Sequence, residues 1–395
     1  PLHFEGRNGA LFQAAGLVDP RLRTLLLPRA MLNPAPGPLR FRFGKPIPAQ
    51  RLALWDDRQG AAYLRERCYL LGAGARPAPG PARPLAALAP ALPAGALAAD
   101  VAALTAAGAR LAGQGRFSVL LFQAGQAPAL MAETARLRER AFRASGEGTG
   151  QPSDRDAYDD EYQHLCLWDQ DAGRVAGGYR LVEAGPQLRR RGPEGLYTHS
   201  LFRLRPAVLE QLQGAAELGR SFVDPDYQGD PLALALLWRG IGAWVAARPG
   251  ITRLFGCVSI SPSYHPLTQR LLVAFLRLNR AEPRAQAWVA PRLAYKAGAL
   301  GAMLERALRL DSMHQLQELV DEVEQGRLRV PVLLKHYLKL GGRILAFNVD
   351  PGFNGTLDGL FMLDLRQCPP KMLERYLGPT AAADRQGDPT VRTAA

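Results

Sequence analysis

The sequence has little of what builds disulfide-stapled or metal-centred proteins. Among 395 residues there are 4 cysteines and 6 histidines. Cys68, Cys166, Cys257 and Cys368 stand far apart, with no C-x-x-C among them. That argues against disulfides and a zinc site, so no metal is expected, and it fits a reducing cytoplasm. No secretory signal is found, and no uninterrupted apolar stretch is long enough to span a bilayer. The most hydrophobic-looking segment, PLAALAPALPAGALAADVAAL, is mostly alanine broken by proline. Any membrane contact is therefore expected to be peripheral, on the inner face of a bacterial inner membrane. Acids are in short supply: 36 Asp and Glu against 49 Lys and Arg leave a net charge of +13. The excess is almost all arginine in a chain rich in Ala, Gly and Pro, as a high-GC bacterial coding bias gives. No basic stripe interleaved with aromatics stands out, so no nucleic-acid partner is expected. What the charge leaves is a modest preference for anionic partners, such as phospholipid headgroups or an acidic carrier protein.

What is present suffices for two domains and a substantial core. The chain opens at Pro1 in PLHFEGRNG, a strand already running into a glycine-rich turn. This leads to the expectation that the N-terminal part of a larger protein precedes it. Residues 1–71 continue with PRLRTLLLPRAMLN, a β-like LRFRFGKPI and an amphipathic helix around AAYLRERCYLL. Residues 72–99 read as a Pro/Ala/Gly linker. From 100 to 380, helices and strands alternate in a mixed α/β pattern without repeats. HLCLWD and RVAGGYRLVEA read as a hairpin turning at Asp169–Gly173. AELGRSFVD reads as a strand feeding a helix over 231–247. Residues 381–395 are expected to be a disordered tail.

Several motifs carry chemistry. HLCLWD matches HxxxxD, in which a histidine deprotonates a hydroxyl and an aspartate orients it. A spacing of five along a strand puts His164 and Asp169 on opposite faces, so the match is rejected. In RLRERAFRASGEGTG, Arg138 and Phe142 lie one helical turn apart, before a glycine-rich turn carrying Glu147. An amphipathic helix plus loop explains that segment equally simply. In DRDAYDDEYQHL, Asp156 and Asp159 precede a strand, where they suit either an ammonium ligand or a turn and cap. AAELGRSFVDPDYQGD places Glu217 and Arg220 three residues apart in an apolar strand. They are either a structural ion pair or part of a site.

The ordered series Arg138–Phe142, Asp156-Ala-Tyr-Asp159, Arg180 and Glu217-Leu-Gly-Arg220 resembles GNAT-type N-acyltransferases that share a pattern with acyl-homoserine-lactone synthases. GEGTG, YTHSLFRL, ELGRSFVDPDYQ, LLWRGIGAWV, RLFGCVSIS and YLKLGGRILAFNVDPGFN look closer still to ornithine-lipid and hemolysin-like N-acyltransferases. The resemblance covers roughly residues 100–378. It implies a GNAT-like mixed sheet flanked by helices. PLHFEGRNGALFQAAG, LRTLLLPRAMLN and RFRFGKPI are similar to the C-terminal half of a PlsC-like lysophospholipid acyltransferase domain, a fusion known in bifunctional ornithine-lipid synthases. The histidine and aspartate of that domain would precede Pro1.

The resemblance implies a (3-hydroxy)fatty acyl transfer to the α-amino group of an amino acid such as ornithine. Glu217 would be the base and Arg220 its partner and the grip on the substrate carboxylate. Arg138, Phe142, Asp156, Asp159 and Arg180 would bind substrate, the two aspartates holding a second amine. Phe222, Val223, Gln228, Gly229 and Ser259 would line the acyl donor. No cofactor is implied beyond the acyl thioester. The GNAT pyrophosphate loop is eroded, since YQGDPLAL keeps Gln228 and Gly229 but lacks the later glycines. That favours an acyl carrier protein over acyl-CoA as donor, with Arg189, Arg190, Arg191, Arg203 and Arg205 facing its acidic surface. A solvated basic loop is the simpler account of those arginines.

Strand geometry would send residues 217 and 220 to opposite faces, so a β-bulge at 218–220 is predicted. The alternatives are a glycerolipid O-acyltransferase, a signal synthase consuming S-adenosylmethionine, and a non-catalytic membrane-surface or carrier-binding module.

Overall fold

A computed structural model describes residues 84–298 and 312–386, with 1–5, 24–28, 40–53, 56–73 and the single positions 19, 301 and 310. The strands follow from period-two patterning. They are β1 (Leu2–Glu5), β2 (Arg40–Phe43), β3 (Arg110–Gln114), β4 (Phe117–Gln123), β5 (Gln163–Asp169) and β6 (Arg174–Glu183). After them come β7 (Phe202–Leu204), β8 (Ala215–Val223), β9 (Arg253–Ile260), β10 (Val289–Pro291), β11 (Arg343–Asp350) and β12 (Thr356–Asp364). Eight of them form one mixed sheet in the order β11-β12-β9-β8-β6-β5-β4-β3. Every neighbour pair in it is antiparallel except β8 and β9, which run parallel. β5 shows why both faces are covered. Leu165 and Leu167 enter one apolar cluster, while Cys166 and Trp168 enter another on the opposite face.

Helices α1 (Asp57–Ala73), α2 (Ala94–Ala106), α3 (Pro128–Ala144), α4 (Ala184–Arg191), α5 (Tyr197–Leu201) and α6 (Pro206–Leu212) precede the parallel crossover. That crossover is α7 (Pro231–Ala246); α8 (Pro266–Arg280), α9 (Met313–Glu324), α10 (Val332–Lys339), α11 (Pro370–Leu377) and α12 (Pro379–Gln386) follow. α3 starts with Pro128 in its first turn and buries Leu130, Met131, Thr134, Ala135, Leu137, Arg138 and Ala141, a helical stripe. With α2 it covers the β4–β6 face that carries Cys166 and Trp168. α7 covers the other face; there a Cβ on Gly240 would stand 2.6 Å from Val119 Cγ1, so helix and sheet approach closely. A third cluster joins β7, β10 and α6 around Phe202, Val208, Leu212 and Trp288.

Two expectations change at the edges. Residues 84–93 run extended along the sheet domain, Ala86 and Ala89 N–H donating to Gly150 and Pro152 carbonyls, and 94–99 begin α2. That part of the expected linker is packed because Leu97 and Leu104 have an apolar face to cover. The expected disorder from 381 is likewise not found up to 386. Ala382 is buried, and Arg385 donates to the carbonyls of Val245, Arg248 and Ile251 at the end of α7. Residues 387–395 lie outside the described residues, as do 6–18 and 29–39, where most of the PlsC-like motifs fall. α1 docks on α9 through a buried Arg67–Glu322 ion pair.

Candidate active site

The parallel seam between β8 and β9 is short. Ala215, Ala216 and Glu217 pair with Arg253, Leu254 and Phe255, and the pairing stops there. At the point of parting, a Cβ on Gly256 would lie 1.9 Å from the Leu218 carbonyl oxygen, a distance only glycine allows. Beyond it the two strands diverge. The gap is a cavity of about 580 Å³ walled by Leu218–Val223 of β8 and Cys257, Val258 and Ser259 of β9. Its lining is partly apolar, with Ala233, Leu234, Leu328, Pro331, Val332 and Leu333, and partly polar, with Ser145, Glu147, Tyr197, Arg220, Ser261 and Asp358.

β8 carries a bulge against β6. Gly219 faces Arg180 and Phe222 faces Gly178, so Arg220 and Ser221 together oppose Tyr179. Arg220 itself takes the left-handed backbone, φ 51°. A non-glycine residue there is strained, and such strain persists only where surroundings impose it. The bulge was expected at 218–220 with Gly219 as its hinge. It lies one step later, because the arginine itself takes the left-handed turn.

The bulge turns Arg220 to the α3 side of the sheet, where three arginines and three aspartates interlock. Arg138 grips Asp159 with both terminal nitrogens at 2.8 Å. Arg180 donates to Asp156 at 2.5 Å and Asp159 at 3.0 Å. Arg220 contacts Asp154 Oδ2 through Nε at 3.0 Å and Asp156 through Nη2 at 3.2 Å, and donates to the Tyr197 hydroxyl at 3.0 Å. Burial alone would raise Asp159, but Arg138 and Arg180 hold it well below the usual carboxylate range. The neighbouring His164 is pushed down to about 4 by burial and bonds the Asp159 carbonyl, so it is neutral. Asp169 instead accepts from Tyr227, in keeping with the rejection of HxxxxD.

Glu217 and Arg220 do not form an ion pair. Glu217, 2% exposed, accepts from the Tyr162 hydroxyl (2.5 Å) and from the N–H groups of Tyr197 (3.1 Å) and Thr198 (2.6 Å). It closes the N-terminus of α5 beneath Tyr197 and is absent from the cavity wall. Of the residues singled out from the sequence, the fold brings Arg220, Phe142, Phe222, Val223, Gln228 and Ser259 to the cavity. It leaves Glu217, Gly229, Arg138, Asp156, Asp159 and Arg180 off it. The expectation that Asp156 and Asp159 hold a substrate cation is corrected, because arginines already neutralise both. The same holds for the single pocket flanked by Glu217 and Arg220. Tyr197 stands between them, giving its N–H to the first and its hydroxyl oxygen to the second.

Of the three cavity carboxylates, sequence reasoning noted Glu147 without giving it a role and passed over Asp230 and Asp358. The signal for Glu147 was visible, a lone acid between glycines in GEGTG. Asp358 had none, since its place depends on β12 pairing with β9.

A splayed parallel seam beside a β-bulge, with a crossover helix starting at the mouth, sits in the mixed, helix-flanked sheet that the resemblance to GNAT-type acyltransferases implies. The chain matches the acetyltransferase (GNAT) domain family over residues 137–239. It is 32% identical over 232 residues to a glycine N(alpha)-acyltransferase of Phocaeicola vulgatus, covering 56% of this chain and 71% of that protein. It is 38% identical over 162 residues to a glycine N(alpha)-acyltransferase of Bacteroides thetaiotaomicron, covering 38% of this chain and 48% of the relative. A CoA-dependent acyl-homoserine lactone synthase solved with SAM and isopentyl-CoA aligns over 61% of this chain and 72% of its own, at 13% identity and a TM-score of 0.28. The chain belongs to the GNAT acyltransferase family, and its class is that of an N-acyltransferase. Among the described residues no helix is long and apolar enough to cross a membrane.

Proposed function

We propose that this protein moves a fatty acyl group from a carrier-protein thioester to the α-amino group of a small amino acid. The observation that carries this reading is the cavity's mixed lining, apolar at Leu234, Leu328 and Leu333 and polar at Arg220. The acyl chain would lie along the apolar residues. Val332 among them, 69% exposed, offers the chain a way out toward a lipid surface. Arg220 would hold the acceptor carboxylate. The bulge leaves one β8 N–H more than β6 can accept, which suits the thioester carbonyl as charge develops on its oxygen.

Two features favour a carrier protein over CoA. Pro231 has no N–H, and the Asp230 carboxylate accepts from Leu232 N–H at 2.9 Å. The start of α7 thus carries a negative charge and offers fewer donors to a pyrophosphate. The basic group contributes less than its count suggests, since Arg190 and Arg191 both pair with Glu161.

Glycine is the first acceptor to test, given the names of the relatives. Ornithine would need a site for its second ammonium, and Asp156 and Asp159 are taken by arginine. In a longer protein, the stretch 1–71 would belong to a domain that O-acylates the product. Incubating the chain with acyl-carrier-protein thioester, acyl-CoA and a mixture of amino acids, then identifying products by mass spectrometry, tests the reading. N-acylglycine formed from the carrier thioester is expected. O-acylation of a lysophospholipid without any N-acyl amino acid would overturn it.

A further inference from the structure

Glu217, the acid that the family pattern singles out, is walled off. The amine must nevertheless lose protons during acylation, so another group has to receive them. Three carboxylates line the cavity: Glu147, Asp230 and Asp358. Asp230 is committed to capping α7. The other two cap no helix.

Glu147 is held out by a purpose-shaped loop. Gly146, Gly148 and Gly150 all take positive φ, 77°, 100° and 75°. A Cβ on Gly146 would sit 1.8 Å from Ser263 Oγ. The loop is tied on both sides of the acid. Ser261 donates to the Ser145 carbonyl, Asn354 to the Gly146 carbonyl, and Glu147 N–H to the Phe142 carbonyl. Glu139 accepts from Thr149 and Gly150. The backbone is thus fixed while the Glu147 side chain, half-buried, has no hydrogen-bond or ion-pair partner among the described residues. Asp358, 4% exposed, has the Ser259 hydroxyl at 3.0 Å and no cation in contact. Arg220 is the nearby positive charge; Asp154, Asp156 and Tyr197 take three of its five N–H groups, which leaves one on each Nη for the acceptor carboxylate. Two carboxylates, one buried and one half-buried, facing one cavity without a counter-ion are costly as anions unless a cation joins them, and otherwise hold protons.

We propose that Glu147 and Asp358 receive the ammonium group of the acceptor and that Glu147 is the base that deprotonates it. This rests on the N-acyltransferase reading above. The nitrogen loses two protons, one to Glu147 and on to water, the other to the departing sulfur. The N–C bond forms at the thioester carbonyl carbon, the C–S bond breaks, and the sulfur leaves as a thiol. In the empty site, burial and Asp358 push Glu147 from 4.5 up to about 8. Burial and Asp350 push Asp358 from 3.8 to about 7. The titratable and charged groups facing the pair are Arg220 on β8, Tyr197 on α5, Cys257 on β9, Tyr264 after it and Asp350 on β11. Glu139 on α3 lies behind the loop.

The test is steady-state kinetics with glycine and the donor that wild type uses, followed against pH. Wild-type kcat/KM should rise with pH and level off near the Glu147 ionisation. Glu147→Gln should lower kcat at neutral pH by about 100-fold or more and abolish that plateau, the rate then following free amine. Asp358→Asn should raise the glycine KM about tenfold with a smaller change in kcat. Glu147→Asp, which keeps the carboxylate, should recover the wild-type profile at reduced kcat and serves if the glutamine variant fails to fold. Wild-type kcat and pH profile in Glu147→Gln, or loss of the plateau in folded Glu147→Asp, would overturn the proposal. Absence of N-acylglycine from wild type would instead overturn the underlying reading.

Discussion

At the scale of single residues, hydrogen-bond partners separate two acids that look alike in the sequence. Glu217 lies beneath Tyr197 and both its oxygens accept hydrogen bonds; Glu147 lies on the cavity wall with no such partner among the described residues. Glu217→Gln turns one acceptor oxygen into a donor facing N–H groups that need an acceptor. The expected cost is about 1–3 kcal/mol of stability, read by denaturant unfolding. A variant as stable as wild type but inactive would return Glu217 to the chemistry. The Glu217–Arg220 spacing was legible, and so was the lone acid of GEGTG. The ranking between them was not, because it depends on where Tyr162, Tyr197 and Asp358 arrive from distant parts of the chain.

At the scale of elements, the site is made by two irregularities of a sheet that also shifts register at β3–β4, β5–β6 and β11–β12. The bulge at Arg220 and Ser221 aims the arginine, and the parting of β8 from β9 opens the cavity. Gly219 announced the bulge in the sequence. Its placement one residue later was not readable, since it follows from Asp154, Asp156 and Tyr197 drawing Arg220 into left-handed backbone. The parting depends on Gly256. Gly256→Ala puts a methyl group against the Leu218 carbonyl at the hinge of the seam. Overpacking of this kind should cost about 1–3 kcal/mol, and the backbone shift should lower activity in the folded fraction. Calorimetry alongside the acylation assay would detect both, and unchanged melting would show that the seam does not need this close approach.

At the scale of the whole molecule, alternating helices and strands were enough to indicate a mixed α/β sheet, and the ordered motifs were enough to indicate its family. The edges were misread. Alanine-rich segments at 84–99 and 381–386 look like linker and tail in composition. They pack because small side chains let α2 and α12 lie close on the domain, and Arg385 ties the second to the end of α7. The central claim is that amine and thioester meet in the β8–β9 gap. A crystal structure with N-acylglycine tests it most directly. The account predicts the acyl chain along Leu234, Leu328 and Leu333, the carboxylate at Arg220 and the amide nitrogen between Glu147 and Asp358. Product bound elsewhere, with the gap empty, would contradict it.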